Sequence, residues 1–212
     1  MAHSEPDEPQ LRRALVAVCR RLSELGLIGG GEGNASVRLD SERLLTTPSG
    51  LNKALLEPHQ LVVTDLAGRK LSGEHGPSSE LPMHLAVYRD RPEVGAVVHA
   101  HPPTAVALTL AGIDLSQAVL PEAVTALGGG IPTARYQSPS TEQLAEGVAQ
   151  ALRGRDACLM ERHGAIAVGR TLAEALDRME LVERIAQVIL RARILGGAPT
   201  PLPRDEVERL LK

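Results

Sequence analysis

The sequence predicts a single α/β domain of three layers, in which helices cover both faces of a central, mainly antiparallel mixed sheet. Three observations lead to this α/β/α class. Short apolar runs occur in pairs separated by turn residues, as in β-hairpins. Longer segments with apolar residues at helical spacing lie between them. The 212 residues contain no internal repeat and no linker, so one domain should span 1–212, with a core at about 11–195 and a tail at 198–212.

Helices are expected where apolar spacing coincides with a start or stop signal. The first runs from Leu11 to Leu25 and stops at Gly26. Another begins near Glu80, with Ser79 as its N-cap, and runs to about Arg89. The remaining helices are expected at 104–110, at 141–152 after a capping box of Ser140 and Gln143, and from Thr171 to about Leu195.

Strands are expected from apolar runs bounded by turn residues. Two hairpins should form, from 35–39 with 43–46 and from 61–64 with 69–71. A buried strand should lead to His99, and two further strands should flank a turn at 162–164. Residues 113–131 carry no readable pattern, and the tail ends in a charged amphipathic piece at 205–212.

Composition argues against several classes of partner. The formal net charge is −3 without a basic block, which disfavours nucleic acid, and no apolar stretch reaches the roughly 20 residues of a membrane span. Residues 1–7 are acidic and polar, unlike a signal peptide. Cys19 and Cys158 form no close pair along the chain, so a reducing cytoplasm is expected.

The segment His99-Ala100-His101 ends the apolar run 94–98. Side chains two apart on a strand share a face, so both imidazoles can point at one ion. Alone, such a pair is more often structural. His163, in a turn between two apolar strands, could complete a three-histidine site with a coordination position open to substrate.

Glu80 follows two serines at a predicted helix N-terminus. A carboxylate there is stabilised by the helix dipole, but it could also move a proton beside a phosphorylated ligand bound at that terminus. Three loops with small hydrogen-bonding groups could form the phosphate cradle; they contain Asn34, Ser49 with Gly50, and Ser78 with Ser79. Each loop alone is most simply a turn.

Five motifs in order resemble the class II aldolase/adducin family, over about residues 11–195. They are Gly33-Asn34-Ala35-Ser36, Thr47-Pro48-Ser49-Gly50, Ser78-Ser79-Glu80, His99-Ala100-His101 and Glu161-Arg162-His163-Gly164. The resemblance is greatest to the L-fuculose-1-phosphate aldolase branch. It implies a carbon–carbon lyase that cleaves a phosphorylated ketose to dihydroxyacetone phosphate and an aldehyde.

The resemblance also implies roles for individual residues. His99, His101 and His163 would bind one Zn²⁺ per subunit, which stabilises an enediolate, and Glu80 would take and return the proton at the adjacent carbon. Asn34, Ser49, Gly50, Ser78 and Ser79 would hold the phosphate. This chemistry suits a chain with no lysine in an apolar strand, where a Schiff-base lysine would need desolvation. A homotetramer with sites between subunits is also implied.

The chain departs from the family pattern at two positions. Gly31 stands where a hydroxyl residue often contacts the phosphate, and Glu122 stands where a tyrosine of the neighbouring subunit acts as the acid. Glu122 is therefore either a substitute acid or a surface residue. A related dehydratase (such as methylthioribulose-1-phosphate dehydratase), decarboxylase or epimerase keeps the same metal site, although epimerases tend to carry Asp in place of Glu80. A non-catalytic adducin-like scaffold should lose the metal ligands.

Overall fold

The computed structural model describes residues 7–212 and confirms the predicted fold class. Residues 1–6 lie outside the described residues. They belong to the acidic segment 1–7, which the sequence analysis describes as unlike a signal peptide. The strands are β1 (Asn34–Arg38), β2 (Arg43–Thr46), β3 (Val62–Asp65), β4 (Lys70–Ser72), β5 (Ala96–Ala100), β6 (Thr133–Ala134), β7 (Ala157–Met160) and β8 (Gly164–Gly169). The helices are α1 (Glu8–Glu24), α2 (Leu81–Asp90), α3 (Pro103–Leu110), α4 (Pro121–Leu127), α5 (Glu142–Ala151), α6 (Leu172–Ile194) and α7 (Arg204–Leu210).

The strands form one eight-stranded sheet in the order β4-β3-β2-β1-β5-β8-β7-β6. The edge pair β6–β7 is parallel, and the other neighbouring pairs are antiparallel. Both predicted hairpins are present, as β1–β2 and β3–β4. The sheet is therefore mixed but mainly antiparallel, as its hairpin-rich sequence predicts.

Helices cover both faces of the sheet. Apolar residues of α1, α3, α4 and α6 form one core cluster, and those of α2 and α5 form the other. Side chains of a strand alternate between these faces. On β5, Val98 belongs to the first cluster and Val97 to the second, so His99 shares the face of Val97 and points towards α2. None of the helices formed by residues 7–212 combines the length and the apolar character that a membrane crossing requires.

Several helix starts differ from the sequence prediction because other residues occupy the N-cap position. The first helix begins at Glu8, since Asp7 accepts a hydrogen bond from the N–H of Gln10. Ser79 is not the N-cap of α2; Glu80 occupies that position. Thr141 caps α5 instead of Ser140, whose φ of 63° excludes the extended cap conformation. Thr171, where the sequence predicts the start of the last long helix, is the N-cap of α6, and its side chain accepts a hydrogen bond from the N–H of Glu174.

The region without a readable pattern contains α4, and the edge strand β6 follows it. The tail forms α7, which packs on α4, and the N–H of Leu202 donates to the carbonyl of Ala118. Leu202, Val207 and Leu210 lie against the first core cluster. The tail thus covers part of this subunit.

Candidate active site

The centre of the candidate site is the end of β5. His99 lies on β5, fully buried between β1 and β8, where it pairs with Asn34 on one side and Ile166 on the other. His101 follows the strand on the same face and remains partly exposed. Proline at 102 and 103 ends the strand and opens α3, as expected from the missing N–H groups.

His163 reaches the same point from the tight turn between β7 and β8. Its N–H donates to the carbonyl of Met160, and Arg162 before it adopts φ = 60°, a left-handed conformation that few non-glycine residues take. The hydroxyl of Thr109 on α3 supports this turn by accepting a hydrogen bond from the N–H of Arg162 at 3.0 Å. The turn therefore aims the imidazole of His163 back across the end of β5.

The three imidazoles converge as predicted. Their ring centroids lie 4.9 to 5.1 Å apart, and one nitrogen of each ring lies within 4.8 Å of the others. His99 Nε2 and His101 Nε2 are 3.1 Å apart. Burial is the main cause that lowers the pKa of His101, to about 4, and that of His163, so these rings are neutral at pH 7, as metal ligands must be.

The donor set fits a divalent cation. His99 Nδ1 lies 2.8 Å from the carbonyl of Ala165, an acceptor, so Nδ1 carries the proton and Nε2 presents its lone pair to the cluster. Three facing imidazole nitrogens beside a carboxylate are the ligands that zinc and similar transition metals prefer. These residues can therefore hold a metal ion.

Glu80 stands beside the imidazoles at the start of α2. Its Oε2 lies 3.2 Å from His99 Nε2, and its Oε1 lies 3.4 Å from His163 Nε2. Burial raises the pKa of Glu80, but His99, His163 and the amide of Asn34 outweigh burial and lower this pKa to about 2. The carboxylate is consequently ionised at neutral pH and faces the histidine cluster.

Two contacts at the site have no counterpart in the sequence analysis. Asn34 Nδ2 donates to Glu80 Oε2 at 2.9 Å, so the amide expected to hold phosphate orients the carboxylate here. Glu32, in the glycine-rich loop, places Oε2 at 3.8 Å from His101 Nδ1 and accepts a hydrogen bond from the N–H of Gly29. The only signal for Glu32 is its position within a loop that leads into the site strand β1.

The three loops proposed as a phosphate cradle are adjacent in the structure. The N–H of Ser78 donates to the carbonyl of Thr47 at 3.1 Å, and that of Ser49 donates to the carbonyl of Gly76 at 3.0 Å. Thr47 in turn exchanges hydrogen bonds with Ala35, beside Asn34. Ser78 is buried, and its hydroxyl accepts from the N–H of Glu80 at 3.2 Å. The other three predicted cradle residues, Ser49, Gly50 and Ser79, are exposed.

Glu122 is not brought into this group. It lies exposed in the first turn of α4, which packs against α6 and α7, and within residues 7–212 its carboxylate makes no hydrogen bond or ion pair. Its role as an acid therefore stays a prediction that requires a second subunit.

His84, one helical turn after Glu80, is fully buried below the site. Its Nδ1 lies 2.7 Å from Ser36 Oγ, which also contacts the hydroxyl of Tyr88 at 2.9 Å. Since Ser36 lies two residues after Asn34 on β1, this contact ties α2 to the strand that carries Asn34. His84 thus has a structural role next to the candidate site.

Comparisons with known proteins agree with this geometry. The model of the family "Class II Aldolase and Adducin N-terminal domain" matches residues 13–190. The 5-methylthioribulose-1-phosphate/5-deoxyribulose-1-phosphate aldolase of Rhodospirillum rubrum is 38% identical over 95% of this chain and 90% of that protein. The 3-oxo-tetronate 4-phosphate decarboxylase of Escherichia coli is 34% identical over 91% of this chain and 90% of that protein.

A solved structure extends the similarity to three dimensions. An L-fuculose 1-phosphate aldolase superposes with a TM-score of 0.88, at 31% identity, over 100% of this chain and 96% of that chain. The similarity therefore includes the strands, turns and helices that carry the histidine cluster.

Proposed function

The chain belongs to the class II aldolase and adducin family, and from this premise we propose that it is a zinc-dependent aldolase of phosphorylated ketoses. It would cleave its substrate to dihydroxyacetone phosphate and an aldehyde. The observation that carries the proposal is the meeting of His99, His101 and His163 with the carboxylate of Glu80. A non-catalytic scaffold would have no use for this arrangement.

The three histidines would hold the ion and leave part of its coordination sphere open. When bound, the ion supplies Lewis acidity, which draws electron density from the carbonyl group of the substrate. The hydrogen bond from His99 to the carbonyl of Ala165 keeps that ring in the tautomer required of a ligand. Zinc is proposed as the metal because three imidazoles suit it.

Glu80 would handle the proton on the carbon next to the carbonyl. In cleavage the C3–C4 bond would break with its electron pair staying on C3, and the proton of the C4 hydroxyl would pass to the group at the aldehyde end, for which Glu122 of a neighbouring subunit is proposed. Glu80 would then deliver to C3 a proton that it has taken up from water. In the reverse direction Glu80 takes the C3 proton back. Since Glu80 is ionised at neutral pH, it must take up a proton before the delivery step.

Asn34, Ser49, Gly50, Ser78 and Ser79 would bind the phosphate of the substrate. The hydrogen bonds between the 47–50 and 76–79 loops and the contact of Thr47 with Ala35 support one shared anion site. Backbone N–H groups and hydroxyls can bind phosphate without a charged side chain. Gly31 supplies no hydroxyl, so the cradle has one contact fewer than the family pattern.

The proposal for the aldehyde half of the substrate rests on the relatives rather than on residues of the site. The name of the Rhodospirillum rubrum relative supports a deoxypentulose or methylthiopentulose phosphate, and that of the superposed structure supports a deoxyhexulose phosphate. Glu122 of a neighbouring subunit would be the acid at this end. That role requires a homotetramer with sites between subunits, which light scattering would detect as a mass of about 90 kDa, four times 22.5 kDa.

The remaining proposals concern the cellular location of the protein and its domain organisation. Cys19 and Cys158 are buried free thiols, as expected in a reducing cytoplasm, and we propose this location. We also propose that the whole chain, 1–212, forms a single domain.

A decarboxylase of a sugar-acid phosphate is the second candidate, and its support is the 34% identity to the Escherichia coli enzyme. The same histidines and Glu80 would serve, with carbon dioxide as the product in place of an aldehyde. Dehydratase and epimerase reactions are further outcomes of a screen. Epimerases are disfavoured by glutamate at position 80.

The test is a screen of the zinc-loaded protein against fuculose, deoxyribulose and methylthioribulose phosphates and a 3-oxo acid phosphate. We expect dihydroxyacetone phosphate from one of the three ketose phosphates. Release of carbon dioxide from the 3-oxo acid phosphate, without cleavage of any of the three ketose phosphates, would replace the proposal with the decarboxylase. No product from any compound would overturn both.

Glu80→Gln isolates the proton step. The variant should keep its zinc but exchange the C3 proton of dihydroxyacetone phosphate with solvent about 10²- to 10⁴-fold more slowly, the usual contribution of a general base. Glu146→Gln, an exposed change on α5, is the matched control and should exchange at the native rate. Native exchange by the Glu80 variant would remove the residue from this role.

A further inference from the structure

Lys53 is a buried lysine that the proposed chemistry does not use. It opens a single helical turn at Lys53–Leu55 that packs on α1, and only 2% of its surface is exposed. Within residues 7–212 it forms no ion pair with a carboxylate. Buried ammonium groups are rare and are normally paired with an acid, so this one calls for an explanation.

The hydrogen bonds of Lys53 join two of the loops at the candidate site. Its Nζ donates to the carbonyl of Leu51 at 2.7 Å and to that of Gly31 at 3.1 Å. Its backbone N–H donates to the carbonyl of Gly30 at 3.0 Å. Leu51 directly follows Gly50, and Gly31 lies three residues before Asn34, so one side chain fastens both segments.

The far end of the glycine-rich loop is fixed by packing. A Cβ on Gly33 would lie 2.9 Å from the carbonyl oxygen of His99 and 2.5 Å from the side chain of Ile28. Gly33 also has φ = 66°, which favours glycine. Contact with β5 therefore holds the loop at Gly33, and Lys53 holds it at residues 30 and 31.

We propose that Lys53 is a positioning residue that locks the 29–33 and 47–51 loops into the arrangement that binds the substrate phosphate, whose negative charge compensates the buried ammonium. This inference rests on the proposed function. Burial lowers the pKa of Lys53, because removal from water disfavours the charged form, and the neighbouring thiol of Cys19 opposes this shift. Lys53 would act through the carbonyls of Gly31 and Leu51, to which its Nζ donates.

The test compares Lys53→Met with Lys70→Met, a change of the same chemistry at an exposed position on β4. Binding of inorganic phosphate, dihydroxyacetone phosphate and unphosphorylated dihydroxyacetone would be measured by calorimetry on the zinc-loaded protein. Lys53→Met should weaken binding of both phosphates about 10- to 100-fold, the loss expected for hydrogen bonds to a charged group. Its zinc content and its affinity for dihydroxyacetone should stay native.

A merely structural lysine gives a different result. Lys53→Met would then lower the melting temperature and leave the ratio of affinities for the phosphorylated and the unphosphorylated ketone unchanged, which overturns the inference. Lys53→Gln keeps N–H donors without the charge, and we expect it to lose part of the phosphate affinity. If the wild-type protein itself binds neither phosphate, the proposed function fails first.

A measurement on the wild-type protein avoids any loss of folding in the variants. The lysines are Lys53, Lys70 and Lys212, so ¹³C labelling at the lysine Cε gives few signals. Titration with inorganic phosphate should move the signal of Lys53 and leave that of Lys70 in place. A Lys53 signal that stays fixed while phosphate binds would overturn the inference.

Discussion

Gly164 has no room for a side chain because the site closes around it. A Cβ at this position would lie 2.4 Å from the carbonyl oxygen of Ala100, 2.9 Å from the ring of His101 and 3.0 Å from that of His99. The glycine follows His163 and opens β8. One residue therefore sets how closely the turn approaches the end of β5.

The change Gly164→Ala should lower metal affinity by spreading the imidazoles. We expect at least a tenfold loss of zinc affinity, since displaced ligands must be pulled back against packed strands. Zinc binding would be measured by competition with a chromogenic chelator. Gly147→Ala, in the interior of α5, is the control and should bind zinc normally, because among residues 7–212 the added Cβ meets no atom within 4 Å other than its chain neighbours and its own helix backbone. Equal zinc affinity in both variants would contradict this account of Gly164.

The sequence predicts that His99 and His101 share a face because the alternation of side chains along a strand is a local property. The order of the motifs along the chain adds His163 to this pair. The common direction of the two side chains follows from their spacing of two residues on a strand. The position of Glu80 follows from the predicted start of a helix. The hydrogen bond from Asn34 to Glu80 and the one from His99 to the carbonyl of Ala165 depend instead on which strands become neighbours in the sheet. Pairing of β5 with β1 and β8 brings Asn34 and Ala165 beside His99, and no local pattern specifies that pairing.

At the scale of elements, α6 supports the helix that follows the histidine pair. The buried carboxylate of Glu183 accepts hydrogen bonds from the N–H groups of Thr104 and Ala105, and also from Gln187. It thus caps α3 from a distant part of the chain. A negative charge at this end is also favoured by the dipole of α3.

We expect Glu183→Gln to destabilise the protein by about 1–2 kcal/mol, because a neutral amide oxygen replaces a charged acceptor at two N–H groups. Denaturant titration gives this free energy. Glu180→Gln, on the same helix but in a surface pair with Arg21, should cost less than about 1 kcal/mol. An equal loss of stability in the two variants would refute the capping role of Glu183.

The sequence analysis did not predict α4 and β6, two short elements that are stabilised by contacts with other parts of the fold. The helix α4 has seven residues, and its three buried positions, Ala123, Val124 and Leu127, are too few to establish a helical period. The strand β6 has two residues and exists because Thr133 and Ala134 pair with Leu159 and Met160 of β7. Tertiary contacts, which propensity does not record, decide both elements.

At the scale of the whole molecule, the histidine cluster joins parts of the chain that are far apart in sequence. His99 and His101 come from β5 and its end, and His163 from the turn between β7 and β8. An ion bound to all three would cross-link the middle of the sheet. Such an ion binds the folded state alone and therefore stabilises it.

Removal of the metal with a chelator should consequently lower the melting temperature. At a free zinc concentration a hundred times the dissociation constant, the stabilisation amounts to about 2.7 kcal/mol, or roughly 5 to 10 °C for a chain of this size. Calorimetric melts with chelator, and after zinc is restored, would measure the change. His99→Ala should melt at the same temperature with and without chelator; a chelator effect that persists there would place the ion elsewhere.

The order of strands in the sheet also bears on how the protein is made. The first hairpin, β1–β2, can form soon after it leaves the ribosome, but β5 gains its second neighbour only when β8 has been synthesised, at residue 169. Until then β5 presents an unpaired apolar edge, which is open to aggregation. A nascent chain that stalls before this point is therefore expected to depend on chaperones, and it has not yet assembled the three-histidine site.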